Sequence, residues 1–171
     1  DNSMGIVNTF DFEDIKTYNM DSYTPGKSLN YGVTKCSNDY ILILSAHSQI
    51  MNCDFGKVIG LLHEYCSVGG KQIPIWNGKK ISRRYVWSNF IDKDDVNLYS
   101  KNENRHFLHN AFAFYKKETL IKYPFDESLS TKEDRYWVNA LIESGMKSYY
   151  DSDTVCHHHY TDNGATWKGI G

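Results

Sequence analysis

The sequence predicts an α/β layer fold with a mixed central sheet flanked by helices. Three observations carry that prediction. Tyr40-Ile-Leu-Ile-Leu44 is a continuous apolar run, as expected of a strand buried on both faces. His109-Asn-Ala-Phe-Ala-Phe-Tyr115 alternates as a strand does. Between and after them lie two segments of helical period: Phe55, Val58, Ile59, Leu62 and Tyr65 in one, and Glu133 to Ser144 in the other.

The elements follow in order. Pro25-Gly26 signals a turn, and Ser28 is placed to cap a short helix running through Leu29 towards Cys36. After the strand 40–44 comes Ser45-Ala-His-Ser48, at the carboxyl edge where open α/β sheets bind ligands. The helix around 54–65 leads to Ser67-Val-Gly-Gly-Lys-Gln-Ile-Pro-Ile75, a strand with a glycine entry. Residues 76–105 are weakly patterned and polar, which predicts a mobile excursion with one helical turn. The strand 109–115 is followed by a brief helix, Lys117 to Lys122. The strongest helix, Glu133 to Ser144, has Tyr136, Trp137, Ala140 and Leu141 as its expected buried face, and Gly145 stops it. Two extended pieces are expected around 147–150 and 154–159.

A chain of 171 residues suits one domain, 1–171, with a real core. Hydrophobic content of 40% and charged content of 23% are ordinary globular usage. Aromatic content is 15%, with 13 Tyr, which fits either a cleft that stacks on sugar-like ligands or a Tyr-rich core periphery. The net charge of −2 gives no electrostatic case for nucleic-acid binding. Cys36, Cys53, Cys66 and Cys156 are scattered without a CxxC pair, which predicts reduced thiols and a cytoplasmic setting. No apolar run approaches the roughly 20 residues of a membrane span.

Three segments carry chemistry. Glu133-Asp134 opens the strongest helix behind a Pro124-Phe-Asp-Glu127 turn. A carboxylate there can take a proton from a sugar hydroxyl, although acidic residues also decorate helix N-termini for the dipole alone. At the strand end, Ser45 and His47 are candidate diphosphate or metal contacts, with a hydrogen-bonding structural histidine as the alternative. In Val155-Cys-His-His-His-Tyr160, His157 and His159 share one strand face and His158 takes the other. The pair is a partial metal site needing a third ligand such as His47.

These segments resemble, in order, five blocks of the family 2 glycosyltransferases. Pro25-Gly-Lys-Ser-Leu-Asn-Tyr-Gly32 is similar to a G-x-S-x-N-x-G segment. Ile43-Leu-Ser-Ala-His-Ser48 with Asn52 is similar to an LSAH variant of a bacterial polysaccharide, rhamnosyltransferase-like subgroup. Gly70-Lys-Gln-Ile-Pro74 and His109-Asn-Ala-Phe-Ala113 follow. Pro124 through Asp134, with the Val155-x-His157-x-His159 ending, completes the set. The resemblance implies a GT-A fold and inverting sugar transfer from a nucleoside-diphosphate donor to a saccharide or lipid-linked saccharide acceptor. It implies Asp134 as base beside Glu133, Ser45, His47 and Asn30 at the donor diphosphate, and Asn110 and Trp137 at the acceptor. His47, His157 and His159 would hold a divalent ion, Mn²⁺ or Mg²⁺.

Two departures from the family pattern stand out. The usual Asp-x-Asp is replaced by Ser45-Ala-His47. The first nucleotide-binding units, with a V-V-D-D-G-S type run, do not occur in the sequence. The chain therefore reads as an N-terminally incomplete, acceptor-side portion, expected to be weakly active alone. Its expected role is bacterial surface polysaccharide assembly (capsule or O-antigen) in the cytoplasm, with peripheral contact at the inner membrane face. The alternatives are a non-catalytic carbohydrate-binding domain and a His-metal hydrolase.

Overall fold

The computed structural model describes residues 15–81 and 85–160, together with Gly5. Helix α1 (Pro25–Lys35) starts with Pro at its first turn and is capped by Thr24, whose hydroxyl accepts from the Lys27 N–H. The cap is thus four residues earlier than Ser28, whose own hydroxyl donates back to Pro25 O at 2.9 Å. Next come β1 (Tyr40–Leu44), β2 (Ser48–Asn52), α2 (Phe55–Leu62), β3 (Ser67–Trp76) and β4 (Lys79–Lys80). A 3₁₀ turn (Tyr85–Asn89) leads to β5 (Asp95–Val96) and the hairpin β6 (Tyr99–Ser100) and β7 (Arg105–His106). The chain continues through β8 (Phe112–Lys116), α3 (Lys117–Lys122), α4 (Glu133–Glu143) and β9 (Ser148–His159).

Among the described residues, seven strands form one mixed sheet in the order β1-β8-β3-β9-β2, with β4 on β3 and β5 on β9. Only the β3–β9 pairing is parallel; β1–β8, β8–β3 and β9–β2 are antiparallel. Alternation along β8 sends Phe112 and Phe114 to one core, and Ala113 and Tyr115 to the other. The first core is closed by Val58 and Leu62 of α2. The second is closed by Val33 of α1, Leu120 of α3, and Trp137, Val138 and Leu141 of α4. The expected mixed sheet with helices on both faces is therefore present, a GT-A-like arrangement.

Several elements differ from expectation. The edge strand β2 was not anticipated, because Ser48-Gln-Ile-Met-Asn52 carries little apolar alternation and is largely exposed. The two extended pieces after α4 are one 12-residue strand, kinked where its register on β3 shifts between Gly70 and Lys71. The described residues of the 76–105 stretch are not a loose excursion. Trp87, Phe90, Leu98 and Phe107 bury together against Tyr150 as a third core. In α4, Tyr136 is exposed and Val138 takes its place inside. No helix of the described residues is long and apolar enough to cross a membrane. All four cysteines are free thiols.

Candidate active site

A cleft of about 820 Å³ opens where the carboxyl ends of β1 and β9 meet the start of β8. Two backbone bonds fix its rim: Ser45 N–H donates to Ala111 O at 3.1 Å, and His159 N–H donates to His47 O at 2.8 Å. Ser45, His47, His109, Asn110 and His158 line it, facing Glu133, Asp134 and Arg135 from the start of α4. The residues predicted as Asp134, Glu133, Ser45, His47 and Asn110 are thus brought to one cavity.

The acidic pair is not helix decoration. Glu133 and Asp134 are only 7% and 4% exposed. Asp134 Oδ2 accepts from the Asn110 backbone N–H at 2.8 Å, while Oδ1 accepts from the Arg135 N–H at 2.8 Å and from Arg135 Nη1 at 3.2 Å. Glu133 Oε1 accepts from Asn110 Nδ2 at 3.2 Å. Burial, and then the adjacent Asp134 charge, raises the Glu133 pKa above its ordinary value. The neighbouring carboxylates therefore differ in setting: Asp134 holds an ionic partner, whereas Glu133 is pushed towards its neutral form. Lys132, just before the helix, sits in the left-handed region at φ 64°, a backbone conformation unfavourable for a residue with a Cβ. Such local cost is common at functional sites.

Arg135 and Glu103 went unrecognised in the sequence. Arg135 Nε lies 3.0 Å from Glu103 Oε1, off the N–H axis and so an ion pair rather than a hydrogen bond. The guanidinium also lies over Phe107, 5.2 Å from the ring centre. Glu103 comes from the β6–β7 hairpin, which this pair ties to α4. No local pattern marks it, since the contact spans more than thirty residues of chain.

The strand end of β9 presents His158, not its neighbours. His158 Nδ1 bonds Gln72 Oε1 at 3.0 Å, and Gln72 Nε2 donates on to His109 O at 3.2 Å. The His158 ring centre lies 4.6 Å from that of His47, the two rings tilted by 38°, and meets Trp87 edge-on at 4.7 Å. Burial first, then the neighbouring histidines, pushes the His158 pKa down to about 2. His109, enclosed by Trp87, Phe90 and Phe107, is lowered for the same leading reason, with the Arg135 charge next. His47 is lowered by burial and by His159. These imidazoles are therefore neutral donors and acceptors at pH 7.

Three sequence-based assignments need correction. His157 and His159 do not line the cleft, because strand parity turns His158 inward and them away. Among the described residues, no group of three or more His, Cys, Asp or Glu side chains is placed to hold a metal ion. The set His47, His157 and His159 is not assembled. At the β1 tip the donors are one hydroxyl and one imidazole, and the nearest lining carboxylates already serve Asn110 and Arg135, so the residues do not fit a protein-held Mn²⁺ or Mg²⁺. Asn30 is not at the cleft: its amide accepts from Phe125 N–H at 2.9 Å and donates to Phe125 O at 2.9 Å, clamping the 124–127 turn to α1. Trp137 is core, 5% exposed, packed on Tyr115 and Phe125 with Nε1 donating to Tyr123 O at 2.6 Å.

Residues 1–123 match the family model described as glycosyl transferase family 2, a span holding β1, the Ser45–His47 tip and Asn110 and ending before the turn that leads to α4. No curated protein matches the chain. With nearly three quarters of its length under that model, and a mixed sheet with a ligand-sized cleft at its strand ends, the chain belongs to glycosyl transferase family 2.

Proposed function

We propose that this chain, as a member of glycosyl transferase family 2, moves a sugar from a nucleotide-sugar donor to a saccharide acceptor, with inversion and with Asp134 as the general base. The supporting observation is a buried carboxylate, oriented by three hydrogen bonds, that lines the same cleft as Ser45 and His47. Asp134 takes the proton from an acceptor hydroxyl, whose oxygen attacks the anomeric carbon. The bond from that carbon to the diphosphate oxygen breaks, and the nucleoside diphosphate leaves with the electron pair. One displacement gives one inversion. Ser45 and the neutral His47 bond the departing diphosphate, and Asn110 borders the acceptor. Proton transfer of this kind contributes about 10²–10⁴-fold.

The proposed setting is bacterial surface polysaccharide assembly by a rhamnosyltransferase-like enzyme, in the cytoplasm at the inner membrane face, on a saccharide or lipid-linked saccharide acceptor. The reading takes 1–171 as one glycosyltransferase-like domain. The test is to incubate the chain with a panel of UDP-, GDP- and dTDP-hexoses and oligosaccharide acceptors, then to read the new anomeric proton by NMR. The expected product has the anomeric configuration opposite to the donor's. A product of retained configuration rejects the single-displacement role of Asp134.

A further inference from the structure

Tyr115 lies beneath the cleft and is fully buried, yet it is a tyrosine where the packing asks only for a phenylalanine. Its ring stands edge-on to Phe125 and Trp137, with centres 6.0 and 5.3 Å away, contacts that a phenyl ring would keep. The hydroxyl has a specific partner: it donates to Asn110 Oδ1. Burial, and then the Asp134 and Glu133 charges, holds the phenol far above its ordinary pKa, so this group is always a donor.

An asparagine amide can sit either way round, and the donor it meets decides which. With Oδ1 committed to Tyr115, Nδ2 faces Glu133 Oε1 at 3.2 Å, and the backbone N–H of the same Asn110 holds Asp134 Oδ2 at 2.8 Å. One residue therefore touches both carboxylates, and one buried hydroxyl sets its orientation. We propose that Tyr115 is a positioning residue for the transfer reaction, acting through the Asn110 amide to fix Glu133 and Asp134 at the cleft wall. The proposal rests on the reading of Asp134 as base and adds a residue to it.

The variant Tyr115→Phe keeps the volume and removes only the donor. The amide oxygen then has lost its donor, and the side chain is held only through Nδ2 on Glu133 Oε1. The expected result is a fall in kcat of about tenfold, the size of one lost hydrogen bond, with KM within about twofold of the wild type. Asn110→Ala, which keeps the backbone N–H, gives a loss of similar size. The double variant is no slower than Asn110→Ala alone, because both changes break one chain of contacts. A turnover-independent reading comes from ¹³C-carboxyl NMR: the Glu133 titration midpoint rises in Tyr115→Phe, where its amide donor is anchored at one end only. Wild-type kcat in Tyr115→Phe, multiplicative losses in the double variant, or an unmoved Glu133 titration each overturns the proposal. If Asp134→Asn leaves the rate intact, the base reading falls and takes this one with it. If Asp134→Asn abolishes turnover while Tyr115→Phe does not slow it, only the role of Tyr115 falls.

Discussion

Asp134→Asn is expected to lower kcat by about 10²–10⁴-fold, the range supplied by a positioned general base. The substitution is isosteric and should leave binding of a nucleoside diphosphate near the wild-type level, because the proposed diphosphate contacts are Ser45 and His47 rather than Asp134. It also has a structural cost that must be separated from the chemical one. As a carboxylate, Asp134 accepts from Asn110 N–H and from Arg135 N–H and Nη1. An amide has only one acceptor atom, so one of these donors loses its partner, at a cost of about 1–3 kcal/mol. A thermal melt measures that loss. The comparison variant is Glu133→Gln, which still accepts from Asn110 Nδ2 through its amide oxygen, and whose expected loss in kcat is under tenfold. Rates within threefold of wild type for Asp134→Asn contradict the assignment of the base.

A clear loss of stability outside the cleft is expected from Gly26→Ala. Gly26 is buried where the first turn of α1 crosses the 124–127 turn. A methyl group there would lie 2.9 Å from the carbonyl carbon of Asp126 and 3.2 Å from Glu127 Cα, and nearer still to the Asp126 oxygen. Both neighbours are backbone, so the two segments must separate. The separation strains Thr24 Oγ1–Glu127 O at 2.8 Å and the two bonds from Asn30 to Phe125. Overpacking of this kind costs about 1–3 kcal/mol, which for a domain of this size corresponds to a fall in Tm of about 2–12 °C. The turn carries the chain into α4, so kcat should fall as well. Gly32→Ala is the control: it lies in the same helix, and its new methyl meets nothing within 4 Å. Alanine is the better helix former by about 0.5–1 kcal/mol, so that variant should melt at or above the wild-type temperature. A Gly26→Ala protein that melts no lower than Gly32→Ala would show that the crossing is not tight.

The parts of this molecule legible in the sequence are those set by short-range pattern. The apolar run 40–44, the alternation at 109–115 and the helical period after Glu133 all became the elements they predict. Asp134, Glu133, Ser45 and His47 stand out by their chemistry at element ends and Asn110 by the family resemblance, and all five line one cleft. The failures share a different cause. Asn30 looked like a ligand contact, but its partner lies 95 residues away in the chain and no local rule reports it. For Trp137 the helical period gives a buried face and the resemblance an acceptor contact, and the ring faces inward because Tyr115 and Phe125 pack against it. The parity of His157, His158 and His159 depends on how β9 pairs with β2 and β3, and the shift between Gly70 and Lys71 lies in that pairing. Arg135 sat beside the acidic pair throughout, and only its ion pair to Glu103 gives it a role.

The β1 tip and the start of α4 line one cleft, in which Ser45 and His47 are the proposed donor contacts and Asp134 the proposed base. The most direct measurement is a ¹H–¹⁵N NMR titration of the chain with UDP, GDP and dTDP in turn. For one of the three, saturable shifts are expected at Ser45, His47, Asn110 and Ala111, while Lys57 of α2 and Asp151 of β9, an ion pair at 2.8 Å, stay unmoved. Saturable shifts around Lys57 and Asp151, with Ser45 and His47 unchanged, would contradict that assignment.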